Sequence, residues 1–334
     1  MRLGAIPELP NAIAKSLEEH GIKTDAIFLS MAPLDILRKL PLGSISLGEI
    51  NRCKEIVARV SAAPGQSASS LLKSVPQKPS SMNVELPLSL EPVQSYFSPH
   101  TDKVVELSGD RNSRKSEFIL NIVLRYLTTN ACSIVHWVDT TGDFSTTKAS
   151  NILKQFGLDK ENNCLERIQV SLALEVEQLY DILDGLATSL EAEDGISATG
   201  YLVVDNVTAL YGPLLSVASS QGHALMVDLM RRLRIIAQTH LITVIVINDS
   251  ISNFQDPAKS IRKPALGPSF TFLTDATLWM SDPRLVTKSP GATYHNEKSD
   301  YINYLLEVTK SSFGITGAAG SFSLWSGLYM LPDK

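Results

Sequence analysis

Apolar residues recur at helical spacing through the first 60 positions, and in strand-like blocks alternating with helical stretches from about residue 104 onward. In the first stretch Asn11 is expected to cap a helix carrying Ile13, Ala14 and Leu17 on one face, ended by His20-Gly21. Thr24 precedes Ala26, Ile27 and Leu29, and Pro33 opens a segment with Leu34, Leu37 and Leu40. Ser46 precedes Ile50, Ile56, Val57 and Val60. Four short helices of this kind predict a compact bundle. Either a helix-hairpin-helix module on DNA or a protein-docking module without DNA contact fits that pattern.

Residues 61–89 are rich in Ser, Pro and Ala, as an extended linker would be, with Leu71-Leu72 as the main apolar touch and Val75 just beyond. Further on, residues 104–107, 133–138, a short segment near 169, 201–204 and 242–247 read as strands. Helical stretches separate them, the clearest at 223–239 with Met226, Leu229, Met230, Leu233, Ile236 and Ala237 on one stripe. The last third reads as further strands extending a sheet. The predicted fold class is therefore α/β, a mostly parallel sheet flanked by helices with a small all-helical domain before it. The expected division is 1–60 for the helical domain, 61–89 for the linker and 90–334 for the core.

Composition narrows the function classes. A content of 44% hydrophobic and 19% charged residues is that of an ordinary globular protein, and a formal charge of −5 argues against wholesale binding of polyanions. Any nucleic-acid contact has to come from a local patch. Cys53, Cys132 and Cys164 show no C-x-x-C spacing, and an odd number suits a reducing compartment. No signal peptide is read at the start, and the most apolar run, near 241–247, is too short to span a bilayer, so no membrane role is expected.

The candidate chemistry lies between the strand at 104–107 and the helix after it. Gly109, followed by Asp110, Arg111, Asn112, Ser113, Arg114, Lys115 and Ser116, fits the phosphate-loop pattern G-x-x-x-x-G-K-[ST] with one substitution, Arg114 for the second glycine. In the intact pattern glycines let backbone N–H groups close round a phosphate at a helix N-terminus, the lysine reaches the terminal phosphates, and the hydroxyl holds Mg²⁺. Asp205, ending the strand at 201–204, is the expected second element: its carboxylate would share Mg²⁺ with Ser116. Gly109, Arg114, Lys115, Ser116 and Asp205 are thus candidate nucleotide-site residues, with Ser116 and Asp205 as candidate Mg²⁺ ligands.

Several further segments carry a family resemblance. ERIQV (166–170), YLVVDNVTALYGPLL (201–215), GHALMVDLMRRLRIIA (222–237), KPALG (263–267) before SFTF, and TKSS (309–312) are similar to the RecA-type recombinases of eukaryotes and archaea, most closely their non-filament-forming paralogues, and GIKT (21–24) suits their N-terminal bundle. The resemblance covers nearly the whole chain. It implies a RecA-like ATPase core, ATP and Mg²⁺ as cofactors, DNA repair by homologous recombination, and a nuclear location.

Three departures bear on the cofactors. Where the family carries D-T-E-G-x-F with a glutamate that activates water, this chain has Asp139-Thr140-Thr141-Gly142-Asp143-Phe144, and threonine is no general base near neutral pH. Asp143 is close in sequence but, two residues along a turn, is expected to point elsewhere. Where the family usually has Asn-Gln, this chain has Asn248-Asp249, an anion expected to repel a γ-phosphate. Arg114 is expected to cost about 1–2 kcal/mol if its backbone is left-handed. Its guanidinium is expected either to fill the phosphate pocket, held by Asp110 or Asp205, or to add an anion contact. Loss of hydrolysis is the expectation, with no catalytic residue assigned and ATP and Mg²⁺ not expected as working cofactors.

The resemblance also places two candidate DNA loops near 211–222 and 250–266. The first is uncharged, while the second offers Lys259, Arg262, Lys263 and Phe254, cations beside an aromatic as in single-stranded DNA contacts. Family filaments use an aromatic-x-x-Ala hook in the linker, yet residues 61–89 contain no Phe, Tyr or Trp. The expected protein is an accessory recombinase paralogue in a hetero-oligomeric mediator complex with other paralogues. It binds single-stranded or branched DNA weakly and does not self-polymerise; the alternative is a DNA-stimulated ATPase.

Overall fold

The computed structural model describes residues 2–41, 43–62, 67–70, 84, 86–109, 113–157, 163–192, 198–215, 220–252, 262–281, 301–326 and 328–330. Asp110, Leu71, Leu72, Val75, Phe254 and Lys259 lie outside them. The chain divides into two compact units, Met1–Pro76 and Gln77–Lys334, split inside the stretch read as a linker.

The first unit is built of α1 (Asn11–Glu19), α2 (Asp25–Ser30), α3 (Pro33–Lys39) and α4 (Leu47–Ser61) around Leu17, Ile22, Phe28, Ile36, Ile50 and Val57, all fully buried. Its helix ends follow local chemistry. Thr24 Oγ1 accepts from the Ile27 N–H at 3.4 Å, Pro33 opens α3, and Ser46 and Glu49 form a reciprocal capping box. Gly21, at φ 85°, lets the chain leave α1 in the left-handed region. Asn11 is the first residue of α1 and not its cap. The helix starts one residue earlier because the carbonyl of Pro10 already accepts from Ile13 and Ala14, at 2.9 and 3.0 Å.

The second unit centres on a nine-stranded sheet in the order β11-β10-β9-β8-β1-β5-β4-β2-β3. Its parallel part comprises β1 (Val104–Gly109), β2 (Ile134–Asp139), β3 (Ile168–Leu172), β4 (Thr199–Asp205), β5 (Thr243–Asn248) and β8 (Ala276–Ser281). The expected sheet extension is β9 (Tyr301–Ser311), β10 (Ala319–Trp325) and β11 (Tyr329–Met330), which join β8 antiparallel. β6 (Ser250–Ser252) and β7 (Arg262–Pro264) form a separate two-stranded ribbon.

Alternate side chains of β1, β4 and β5 point to opposite faces, and each face has its own core. Val105, Leu107, Tyr201, Val203, Ile245 and Ile247 pack on one side, and Val104, Leu202, Val204, Val244 and Val246 on the other. The first face is covered by α5 (Lys115–Thr129) and α6 (Thr146–Gln155). The second is covered by α7 (Val176–Glu191), the short α8 (Val207–Tyr211), α9 (Gln221–His240) and α10 (Gly267–Leu273). α5 is buried almost all round, from Phe118 to Leu127. It seats Phe118 at ring-centroid distances of 5.3 Å from Phe97 and 4.5 Å from Phe322. With strands buried on both faces, polar groups collect at their C-terminal ends, where β1, β2, β4 and β5 all stop.

Truncating Phe118 to Ala removes a fully buried ring from between two others. It is expected to lower unfolding free energy by about 3–5 kcal/mol, read as a shift in urea midpoint at unchanged slope.

Candidate functional site

At those strand ends lies a cavity of about 1050 Å³. The β1 strand ends on Gly109, where a side chain would collide with the carbonyl oxygen of Met280 in β8. Further along the chain, Ser113 is buried and Arg114 forms the N-cap of α5 at φ 61° and ψ 36°. The left-handed backbone anticipated at the missing glycine is therefore present, with a cost of about 1–2 kcal/mol for a residue with a side chain.

Of the two anions expected to hold the Arg114 guanidinium, Asp110 lies outside the described residues. Among the described residues its partner is Glu117, at 3.4 Å and one turn along α5, rather than Asp205, and the arginine stays half-exposed. Glu117 also accepts from Lys148 of α6 at 2.8 Å. A carboxylate three residues along a helix is within reach of a side chain at its start.

The group that engages the phosphate-loop lysine is Asp249. Lys115 is buried, donates to the Gly109 carbonyl at 3.0 Å, and lies 3.2 Å from Asp249 Oδ1. Asp249 directly follows β5, whose last residue Asn248 pairs with Ser108 of β1, so strand register brings position 249 opposite the lysine. Asp249 is held on its other sides too. Its N–H donates to Thr208 Oγ1 at 2.8 Å, its carbonyl accepts from Ala265 N at 2.8 Å, and Asn206 Nδ2 lies 3.5 Å from Oδ2. Removing either member of so buried a pair leaves an uncompensated charge and costs about 3–5 kcal/mol.

Behind this pair a polar chain runs into the sheet. Thr208 donates to Asn248 Oδ1 at 2.6 Å, and Asn248 Nδ2 donates to Glu106 at 2.8 Å. Glu106 also accepts from Ser108 at 2.6 Å and Thr277 at 2.8 Å. Burial pushes the Glu106 carboxyl above its usual range against these three donors.

Asp205 lies half-buried on the cavity floor. Burial pushes its carboxyl up to about 7, opposed by the Ser116 hydroxyl hydrogen-bonded to it and reinforced by the negative charge of Asp139. Asp139 is itself committed. Burial would raise its carboxyl, but N–H donors from Phe144, Thr141 and Gly142, at 2.9, 3.0 and 2.9 Å, together with the Thr141 hydroxyl at 3.2 Å, hold it below its usual range. The same turn is pinned by Phe144 against Trp137, with ring centroids 5.4 Å apart. Thr141 thus spends its hydroxyl on Asp139. Asp143 corrects an expectation, since it lines the cavity at an exposed position rather than pointing elsewhere; the turn closed on Asp139 brings it round.

The fit to a nucleoside triphosphate and Mg²⁺ is poor. Among the described lining residues, Arg114, Lys115 and Lys148 face Glu117, Asp143, Asp205 and Asp249, three cations against four carboxylates. The cations have protein carboxylates as partners, and burial pushes the Asp205 carboxyl up to about 7. A triphosphate brings further negative charge to a site already balanced from within. No group of three or more His, Cys, Asp or Glu suited to a metal occurs among the described residues.

The candidate DNA residues divide. Lys259 and Phe254 lie outside the described residues. Arg262 and Lys263 fall on β7, with Lys263 exposed. Their ribbon starts at Ser250, directly after Asp249, so the candidate DNA segment is rooted at the cavity. Glu117, Lys148, Asn206 and Thr208 were missed by sequence reasoning. Glu117 alone carried a signal, as an acid in the first turn of a predicted helix; the others meet the site only through chain crossings.

Residues 117–272 match the Rad51 family. The chain is 26% identical over 296 residues to "DNA repair protein RAD51 homolog 4" of Bos taurus, covering 87% of each chain. It is 26% identical over 204 residues to the protein of that name from Mus musculus, covering 60% of each. In fold it is similar to the crystal structure of the RadB recombinase, with a TM-score of 0.52 and 19% identity over 72% of this chain and 97% of that one. That likeness shows a RecA-like recombinase fold.

Two stability measurements follow from the geometry. Arg114→Gly removes a left-handed residue at the cost of a solvent-screened ion pair, and is expected to raise unfolding free energy by about 1 kcal/mol in urea titration. An aspartate whose folded-state pKa is raised favours the fold while protonated, below its unfolded value near 4, and loses that contribution as pH rises through about 7. Asp205→Asn is therefore expected to raise Tm by several degrees at pH 8, by less at pH 5, and to leave it nearly unchanged only below about pH 4.

Proposed function

We propose, from the premise that this chain carries a Rad51-family domain on a RecA-like recombinase fold, that it is an accessory recombinase paralogue in homologous recombination and DNA repair. It acts in the nucleus by binding, as a subunit of a mediator complex with other recombinase paralogues, and not by hydrolysing ATP. The observation that carries this reading is the buried Lys115–Asp249 ion pair. A phosphate-loop lysine bound by the chain's own carboxylate, in a cavity lined also by Thr141 at the family's water-activating position, is a poor beginning for phosphoryl transfer. The repair role rests on its similarity to two DNA repair proteins.

Two features support hetero-association. The linker between residues 61 and 89 lacks any aromatic for a homotypic hook. In the core, β3 lies at the sheet edge, paired only with β2 among the described strands, with Val170 and Leu172 41% and 55% exposed. An edge strand with outward apolar side chains suits strand addition by a partner. Weak contact with single-stranded DNA falls to Lys259, Arg262, Lys263 and Phe254.

A second reading, a DNA-stimulated ATPase, is favoured by the retention of Lys115, Ser116 and Asp205 around one cavity. Phosphate release with Mg²⁺, with and without single-stranded DNA, separates the two. The proposal expects no turnover in either condition, and equal assembly with a recombinase paralogue whether or not ATP is present. Magnesium-dependent turnover that disappears in Lys115→Ala would establish the ATPase instead.

A further inference from the structure

The poor fit between this cavity and a triphosphate has a specific source. We infer that Asp249 is a built-in anion that takes the place of a phosphate on Lys115, and that it thereby keeps the root of the β6–β7 ribbon fixed without nucleotide. This rests on the reading of the chain as a non-hydrolysing paralogue, and adds how its site is controlled.

Three observations meet at this residue. Its carboxylate lies 3.2 Å from a lysine whose side chain is 4% exposed, so the ammonium is neutralised inside the protein. Any external phosphate reaching that ammonium has to displace Asp249 and leave two anions facing each other in a half-buried site. The other cations lining the cavity among the described residues are already engaged. Arg114 and Lys148 are both held by Glu117, at 3.4 and 2.8 Å.

The backbone of Asp249 is the other half of the device. Its carbonyl accepts from Ala265 N at 2.8 Å, which closes the base of the ribbon just outside the Ser250–Pro264 pair. Its N–H donates to Thr208, and so ties the same residue to Asn248 and the buried Glu106. One residue therefore joins the cavity's lysine to the strands leading into the segment that carries Lys263. An anion supplied in cis is always present, so the ribbon root is held in one position whatever the nucleotide concentration. In an open site, arrival and departure of a phosphate at Lys115 would change what that root touches.

The test uses the full chain and a fluorescent ATP analogue with Mg²⁺. Asp249→Asn keeps the shape and the Asn206 contact while freeing the lysine. It is expected to bind the analogue at least about tenfold tighter than the wild type, a gain lost again in Asp249→Asn combined with Lys115→Met. Equal affinity of wild type and Asp249→Asn would overturn the inference.

A second measurement needs no variant. Hydrogen exchange of the native protein over 244–252 and 262–266 is expected to be unchanged by millimolar Mg²⁺-ATP, whereas nucleotide-induced protection there would refute a permanently held root. ATP turnover by the wild type would count against the paralogue reading itself. Absence of turnover together with no gain in Asp249→Asn would sink only the inference.

Discussion

A parallel sheet covered by helices on both faces leaves its polar groups one place to gather. The central parallel strands β1, β4 and β5 are buried on both sides, and α5 behind them is apolar almost all round. The loops at the C-terminal ends of β1, β2, β4 and β5 therefore carry the charged residues the core excludes. Once charges are crowded into a concave, half-buried site, each is stable only beside a partner. The arrangement of the cavity is the outcome of that requirement.

The pairing is thorough. Lys115 has Asp249, Glu117 has both Arg114 and Lys148, and Asp139 is surrounded by backbone donors from its own turn. In a site built for phosphate the cations would await an external anion, and their mutual repulsion would be relieved by binding. Here that relief comes from within. The cations that a phosphate loop would offer to a nucleotide are matched here by carboxylates of the chain itself.

Much of the fold was legible because its signals are local. The capping box at Ser46 and Glu49, the Thr24 cap and Pro33 are effects within one helical turn, and the buried strands announce themselves as apolar runs because both their faces are covered. Where two local signals compete, the sequence misleads: Asn11 looks like a cap, yet the Pro10 carbonyl had already started the helix. At the site, spacing singled out Gly109, Lys115, Ser116 and Asp205, and the condition attached to Arg114, a left-handed backbone, is met. The partner that Arg114 has among the described residues, Glu117, is one the sequence did not single out. Asp205 is far away in sequence and attractive by charge, but Glu117 is one turn distant and already in reach.

The sequence by itself therefore determined the element order, the class of fold, the loop from which α5 springs, and the identity of the residues that depart from a phosphate site. Only the tertiary structure decided who pairs with whom. Lys115 and Asp249 stand on opposite sides of a strand crossover, and Lys148 reaches Glu117 from another helix. Asp143 turns into the cavity because Asp139 closes the bend beneath it. Helix and strand periodicity report which face of an element is apolar. They carry no information on which charges from distant segments share one desolvated pocket, because that depends on strand order and register, which long-range packing selects.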